Sequence, residues 1–273
     1  MRVFAKRALL FFVLVLFLAS CTAHLPRYAP DFSNPVYTVA VLPFYNATND
    51  VGGAMGLREE FQKRLQHRHY KFMTLKEVDE ILLNRMGITL GDQLEMTDAI
   101  ELGKTLGVDG VVYGYVLNFD DVTTGVYNVK KVRAGFKLVD TKTGQTVWTG
   151  GRGVKTVIAG GGKAGVGISV LKEAMDDDKF EPFGAIKGIE EIQGLKDWHI
   201  IRAGATKKIE DAAMLALGEK LITKALGVHL WLESNTMMDL AMKGFPSGPG
   251  AASHEPESLS KEGNGAIKQS PGN

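Results

Sequence analysis

"VDGVVYGYVLNF", residues 108–119, decides the fold. Read at a period of two, Val111, Tyr113, Tyr115 and Leu117 fall on one face, and Val112 and Val116 on the other. Both faces are apolar. Such a strand has to be covered above and below, which places it at the centre of a sheet.

The flanking segments supply what that strand needs. Upstream, a helix from about Thr97 to Leu106 stops at Gly107, and another starts at Thr74 with Glu77 as capping-box partner and ends at Gly87. Leu75, Val78, Ile81 and Leu82 form its apolar stripe. "YKFMT" is a short strand. Before it, Leu57, Phe61 and Leu65 recur at helical spacing, with Glu59–Lys63 and Glu60–Arg64 as i,i+4 pairs on the wet face. Val36–Phe44 is an apolar, β-branched run suited to a buried strand. Downstream, "VKKVRAGFKLVD" alternates Val132, Ala134, Phe136 and Leu138 against Arg133 and Lys137, the pattern of a half-buried strand. "TKTG" turns the chain back into "QTVWTGGRGVKTVI", giving an antiparallel hairpin. A long helix from about Thr206 to Leu226 is expected to close the core. The fold class is α/β, a single layered domain with a mixed sheet in the order β-α-β-α-α-β-β-β-(insert)-α. The insert, about 159–205, lacks clear periodicity; Gly165–Met175 is its candidate helix and the rest reads as irregular.

The N-terminus reads differently. Arg2, Lys6 and Arg7 precede an apolar run from Ala8 to Leu18, too short to cross a bilayer, which takes about 20 residues. This is the layout of a secretory signal peptide. Leu18-Ala19-Ser20 then meets Cys21, the single cysteine, and resembles the lipobox of bacterial lipoproteins. That resemblance implies cleavage between Ser20 and Cys21 and a covalent lipid on the Cys21 sulfur. Thr22 in place of Asp implies sorting to the outer membrane, with the domain facing the periplasm. The expected layout is a leader at 1–20, a lipidated tether at 21–35, the domain at 36–243, and a disordered Gly/Pro/Ser-rich tail at 244–273.

Charge excludes one class of partner. The 32 basic and 31 acidic residues give a formal net charge of +1, and loss of the leader turns the balance slightly acidic. No field exists to attract nucleic acid.

Candidate catalytic and binding motifs are weak. "GGGKAGVG", 160–167, lacks the upstream glycine and the Ser or Thr after Lys163 that a phosphate loop needs, and reads as a hinge. His67 and His69 flank Arg68 with Lys71 nearby, a cationic setting that opposes a metal ion. His199 beside Asp197 has no nucleophile placed for it. Asp120-Asp121 and "DDDK" at 176–179 lack the alternating ligands of a calcium loop and read as solvated turns. No catalytic, metal-binding or cofactor residue is named, and the lipid on Cys21 is the only attached group expected. Loop 46–53, leaving the carboxyl end of a strand, is the candidate ligand pocket. In "LWLESNTMMDLAMKGF", 230–245, Trp231, Met237, Met238 and Met242 give an apolar face. Two readings stand for it: docking on its own domain, or contact with a partner protein or second subunit.

Three stretches, "TVAVLPFYNATN" at 38–49, "IELGKTLGVDGVVYGYVLNF" at 100–119 and "KLVDTKTGQTVWTG" at 137–150, resemble in their order an α/β superfamily of bacterial envelope proteins. It includes the curli-secretion lipoprotein (CsgG-like), the N-terminal domain of the Tol-system propeller protein and penicillin-binding-protein activator lipoproteins. The resemblance implies an anticodon-binding-like, CsgG-like fold without catalytic residues. It also implies a scaffold or assembly role in a periplasmic or outer-membrane complex, with an envelope protein or a second copy as partner. A ring-forming secretion subunit and an activator of a cell-wall synthase are the alternatives. The four long amphipathic strands that a pore subunit requires are not found in the sequence.

Overall fold

The computed structural model describes residues 28–123, 127–159, 186–203 and 230–250. Strand β4 (Gly110–Thr123) lies between two neighbours, as its apolar faces demand. β1 (Thr38–Val41) runs parallel to it with Ala40 opposite Val111, and β5 (Tyr127–Asp140) runs antiparallel with Gly114 opposite Phe136. β2 (Tyr45–Asn46) continues along β4 beyond β1, and β3 (Lys71–Phe72) borders β1. β6 (Thr146–Ala159) and β7 (Trp198–Ala203) extend the opposite side. The result is one open mixed sheet of seven strands, ordered β3-β1-β4-β5-β6-β7, with β2 paired to β4.

Each face of the sheet carries its own layer. On one, Val112 and Val116 of β4 and Val132, Ala134, Phe136 and Leu138 of β5 meet Leu57, Phe61 and Leu65 of α1 (Val51–Leu65) and Met237 and Met238 of α4 (Trp231–Ala241). The Phe61 and Phe136 rings lie 4.8 Å apart between centroids. On the other, Ala40, Leu42 and Val111 pack under Val78 and Leu82 of α2 (Leu75–Met86) and Leu102 and Leu106 of α3 (Ala99–Leu106). Farther along this second face, Tyr115 and Leu117 are covered by Ile186, Ile189, Ile192 and Leu195.

Local signals set the helix ends. Asp50 caps α1 by accepting from the Gly53 N–H, and Thr74 and Glu77 form the full capping box of α2. Asp98 caps α3, which ends at Gly107 in the left-handed region. Two residues on, Asp109 ties the sheet together. Its carboxylate accepts from the Thr38 N–H at 2.9 Å and the Thr38 hydroxyl at 2.7 Å, and Lys142 lies 3.1 Å away.

Several expectations are corrected. The polar face of β5 is not wet: Arg133 is 1% exposed, its guanidinium 4.0 Å from the Trp198 ring centre, and Lys137 is half-buried. The cover is the chain 186–198, part of the supposedly irregular insert, which also forms β7 in parallel register with β6. β2 and a 3-10 helix at Gly91–Met96 were not anticipated. Asp120 and Asp121 are no turn; they stand in β4 opposite Lys131 and Lys130. The expected helices at 165–175 and 206–226 lie outside the described residues, and α4 is the described helix that crosses β5 and β6.

Both presumed flexible ends are partly docked. The Asp31 N–H donates to the Gly248 carbonyl at 3.0 Å, and the Asn34 amide donates to the Ser247 carbonyl at 2.9 Å. Phe245, assigned to the tail, is buried among Phe61, Tyr70 and Trp148. The buried Arg68 guanidinium donates to the carbonyls of Phe245 and Met242, satisfying the C-terminal end of α4. Residues within 28–35 and 244–250 are thus tied to each other and to the core.

Candidate functional site

The period-two pattern of β4 puts the side chains of Tyr113 and Tyr115 on the same face of the sheet, and Lys137 of β5 is the direct cross-strand partner of Tyr113. These three line a cleft of about 290 Å³. The 3-10 helix and the start of α3 wall it on one side, with Glu95 and Asp98, and Lys187 and Glu191 wall it on the other.

The floor is built from donors. The Lys137 Nζ sits 5.1 Å from the Tyr113 ring centre, within the range of a cation–π contact. Gly188 approaches from above with φ +78°, and a Cβ there would come 2.6 Å from Lys137 Nζ and 3.9 Å from Tyr115 Oη. A side chain at 188 would thus press on the Lys137 ammonium, and the left-handed backbone there favours glycine as well. Burial, with a smaller push from Asp98, raises the Tyr113 hydroxyl to about 12. Burial raises Tyr115 as well, so both phenols stay protonated at neutral pH. Burial pulls the Lys137 ammonium down, while Glu191 and Glu190 pull it back up. The arrangement offers a cation and two hydroxyls to a ligand and sets no nucleophile beside a base.

The residues singled out in the sequence are distributed otherwise. Ser20 and Cys21 lie outside the described residues, as do the 160–167 glycine run and "DDDK". Of the expected partner face, Met237 and Met238 are 0% exposed and Met242 is 2%, all within the domain's own core, while Trp231 is exposed. The partner-contact reading of the three methionines is therefore corrected. The β5–β6 face needed a cover, and α4 provides it. Loop 46–53 spends its polar groups on itself. Asn46 accepts from the Thr48 N–H and hydroxyl, and Asp50 caps α1. Only Tyr45, next to that loop, reaches the cleft. His67 and His69 are exposed, and the His69 Nε2 lies 2.7 Å from the Tyr28 carbonyl. Asp197 pairs with Arg152 at 3.0 Å. Among the described residues no group of three or more His, Cys, Asp or Glu is placed to hold a metal ion, and no helix is long and apolar enough to cross a membrane.

The cleft itself escaped the sequence reading. Its signal was slight: two tyrosines two apart in a valine-rich strand, with a lysine on the neighbouring strand.

Comparison with known proteins gives a family and a set of distant structures. The family model for GNA1162-like lipoproteins matches residues 31–177, a span that includes β1 through β6. The crystal structure of lipoprotein GNA1162 from Neisseria meningitidis is 21% identical, with 52% of this chain and 99% of that chain covered, at a TM-score of 0.42. The LpoB C-terminal domain from Salmonella enterica is 16% identical, covering 45% of this chain and 86% of that one, at 0.33. The PelC dodecamer from Paraburkholderia phytofirmans is 18% identical, covering 54% and 85%, at 0.31. No curated protein matches the chain.

Proposed function

Because the chain belongs to the GNA1162-like lipoprotein family, we propose that it is a lipid-anchored protein of the cell envelope whose α/β domain serves as a non-enzymatic scaffold or assembly module. The observation that carries this reading is the family match over residues 31–177, which begins ten residues after the run Leu18-Ala19-Ser20-Cys21 (31 − 21). The attachment point is the Cys21 sulfur, and the location is the outer membrane, with the domain in the periplasm.

The docked segment 28–35 supports it. A tether that ran free to residue 36 would let the domain swing at will. Here the chain is hydrogen-bonded to the 247–248 backbone from Asp31 and Asn34, and six residues, 22–27, separate Cys21 from Tyr28. At about 3.3–3.6 Å per residue, that link reaches no more than roughly 25 Å. With a lipid on Cys21, a link of that length would keep the domain close to the membrane surface, which supports a role as a component of an envelope complex.

Crosslinking in intact cells followed by pull-down of the full-length chain tests the role. A defined envelope protein, or a second copy of the chain, is the expected product. Hydrolase or nucleotide-turnover activity of the purified chain that a point change abolishes would overturn the non-enzymatic reading.

A further inference from the structure

We propose that the end of the domain from which the chain leads to Cys21 docks on a membrane surface of anionic phospholipids, with Phe32 among the headgroups and Lys71 and Lys243 on their phosphates. The proposal rests on the lipid anchor at Cys21 and adds the face with which the anchored domain meets the membrane.

The first support is where the chain leaves the domain. The Arg68 guanidinium stacks 3.9 Å from the Tyr28 ring centre, and the His69 Nε2 lies 2.7 Å from the Tyr28 carbonyl oxygen. Both residues follow the C-terminal end of α1, and Lys63, Arg64 and Met242 line one surface hollow with Tyr28. Six residues, 22–27, then remain before Cys21. A link of at most roughly 25 Å favours this end over the opposite end of α1 as the one that meets the membrane.

The second is charge. Lys71 and Lys243 are exposed, and among the described residues neither forms an ion pair. Lys63 adds a third ammonium, 3.7 Å from Glu60. The carboxylates at this end are already engaged. Glu60 and Asp239 pair with Arg64, and Asp31 accepts from the N–H and the hydroxyl of Ser33. With Arg68 included, this leaves the end cationic in a chain whose formal net charge is only +1. Lys63 also suits the C-terminal end of the α1 dipole, but Lys71 and Lys243 lie outside that helix.

The third is Phe32, which is 68% exposed. Its backbone is held on both sides, by the Asp31 N–H on the Gly248 carbonyl and by the Asn34 amide on Ser247 and Tyr70. One exposed apolar side chain is ordinary on its own. Beside the chain exit and the lysines, it gives this end the aromatic and basic make-up of surfaces that sit in a headgroup layer.

The full-length chain, purified with its lipid and inserted into vesicles, tests the docking. The single cysteine carries the lipid, so a cysteine introduced by Gln66→Cys or by Val51→Cys takes one fluorescent label. Both positions are exposed, and they stand at opposite ends of α1. The readout is quenching by a phospholipid with a nitroxide on its headgroup. In phosphatidylcholine vesicles that contain phosphatidylglycerol, the label at 66 is expected to be quenched and the label at 51 to stay bright. Omitting phosphatidylglycerol, or adding salt to about 0.5 M, should release the label at 66, because salt screens exposed charges. Lys71→Gln and Lys243→Gln should each lower the ratio of docked to free domain about fivefold. Phe32→Ser should lower it as well. Equal quenching at 66 and 51 overturns the proposal. Quenching at 66 that ignores both salt and phosphatidylglycerol overturns it too, as does a folded chain with both lysine changes that docks like the parent. The intact mass reports the lipid separately. A chain without lipid overturns the anchor and this proposal together, whereas a lipidated chain with no quenching at 66 overturns this proposal alone.

Discussion

At the scale of single residues, a few polar side chains hold distant parts of the chain. Asp109 joins the start of β4 to β1 through two bonds from Thr38 and an ion pair with Lys142. Its loss in Asp109→Ala should cost about 1–3 kcal/mol in chemical denaturation, the range for leaving a buried hydrogen-bond partner unsatisfied. Burial pushes this carboxyl up, but the Thr38 bonds and Lys142 outweigh burial, and the net shift is down from 3.8. A lowered native pKa means that the stabilisation is whole above the unfolded value and is withdrawn as pH falls through the native one. The difference between the parent and Asp109→Ala should therefore be constant at neutral pH and shrink below about pH 4; a gap unchanged at pH 2 would refute the assignment. Arg68 acts in the same way at the other end of the fold. It stacks 3.9 Å from the Tyr28 ring centre while donating to the Met242 and Phe245 carbonyls. Lysine cannot reproduce that planar fork, so Arg68→Lys should raise protease cleavage within 244–250 nearly as much as Arg68→Ala.

At the scale of elements, α4 carries the sharpest consequence. Its methionines lie on the β5–β6 face beside Phe136 and Leu138, so Met238→Ala should destabilise the domain by about 2–4 kcal/mol. Had these side chains formed a partner surface, the same change would leave the unfolding midpoint alone and weaken a complex. Thermal melting of the isolated variant separates the two. Thr74→Ala, which removes the cap of α2, should cost only about 1 kcal/mol, since the helix stays packed through Val78 and Leu82. The central strand and the capped helices were legible because their signals are short-range: period-two burial, a capping box three residues long, a glycine after the last turn. The polar side of β5 was not. Arg133 and Lys137 read as solvent-facing, since nothing near them in sequence reveals that Trp198 and the 186–195 chain will lie across them.

At the scale of the whole molecule, the two ends of the domain meet. Residues 28–35 and 245–248 are hydrogen-bonded together, and Phe245 closes an aromatic cluster with Phe61, Tyr70 and Trp148. Ending the chain at Lys243 should therefore lower the melting temperature and loosen the N-terminal segment too, seen as faster amide exchange over residues 31–36. The anchor is tested at the same scale. Cys21→Ala should shift the protein from the membrane to the soluble fraction and remove the lipid from its mass spectrum, and unchanged fractionation would refute lipidation. The sequence by itself determined the α/β class, the central position of β4 and the helix caps, because each rests on neighbours within about four residues. It also contains Leu18-Ala19-Ser20-Cys21, a run of consecutive residues that resembles a lipobox. Only the tertiary structure decided that the methionines are core, that residues 28–35 and 244–250 are partly docked, and that Tyr113, Tyr115 and Lys137 line one cleft. Those outcomes depend on which surfaces come together across tens to hundreds of residues, as Asn34 does with Ser247, and no local pattern encodes such a meeting.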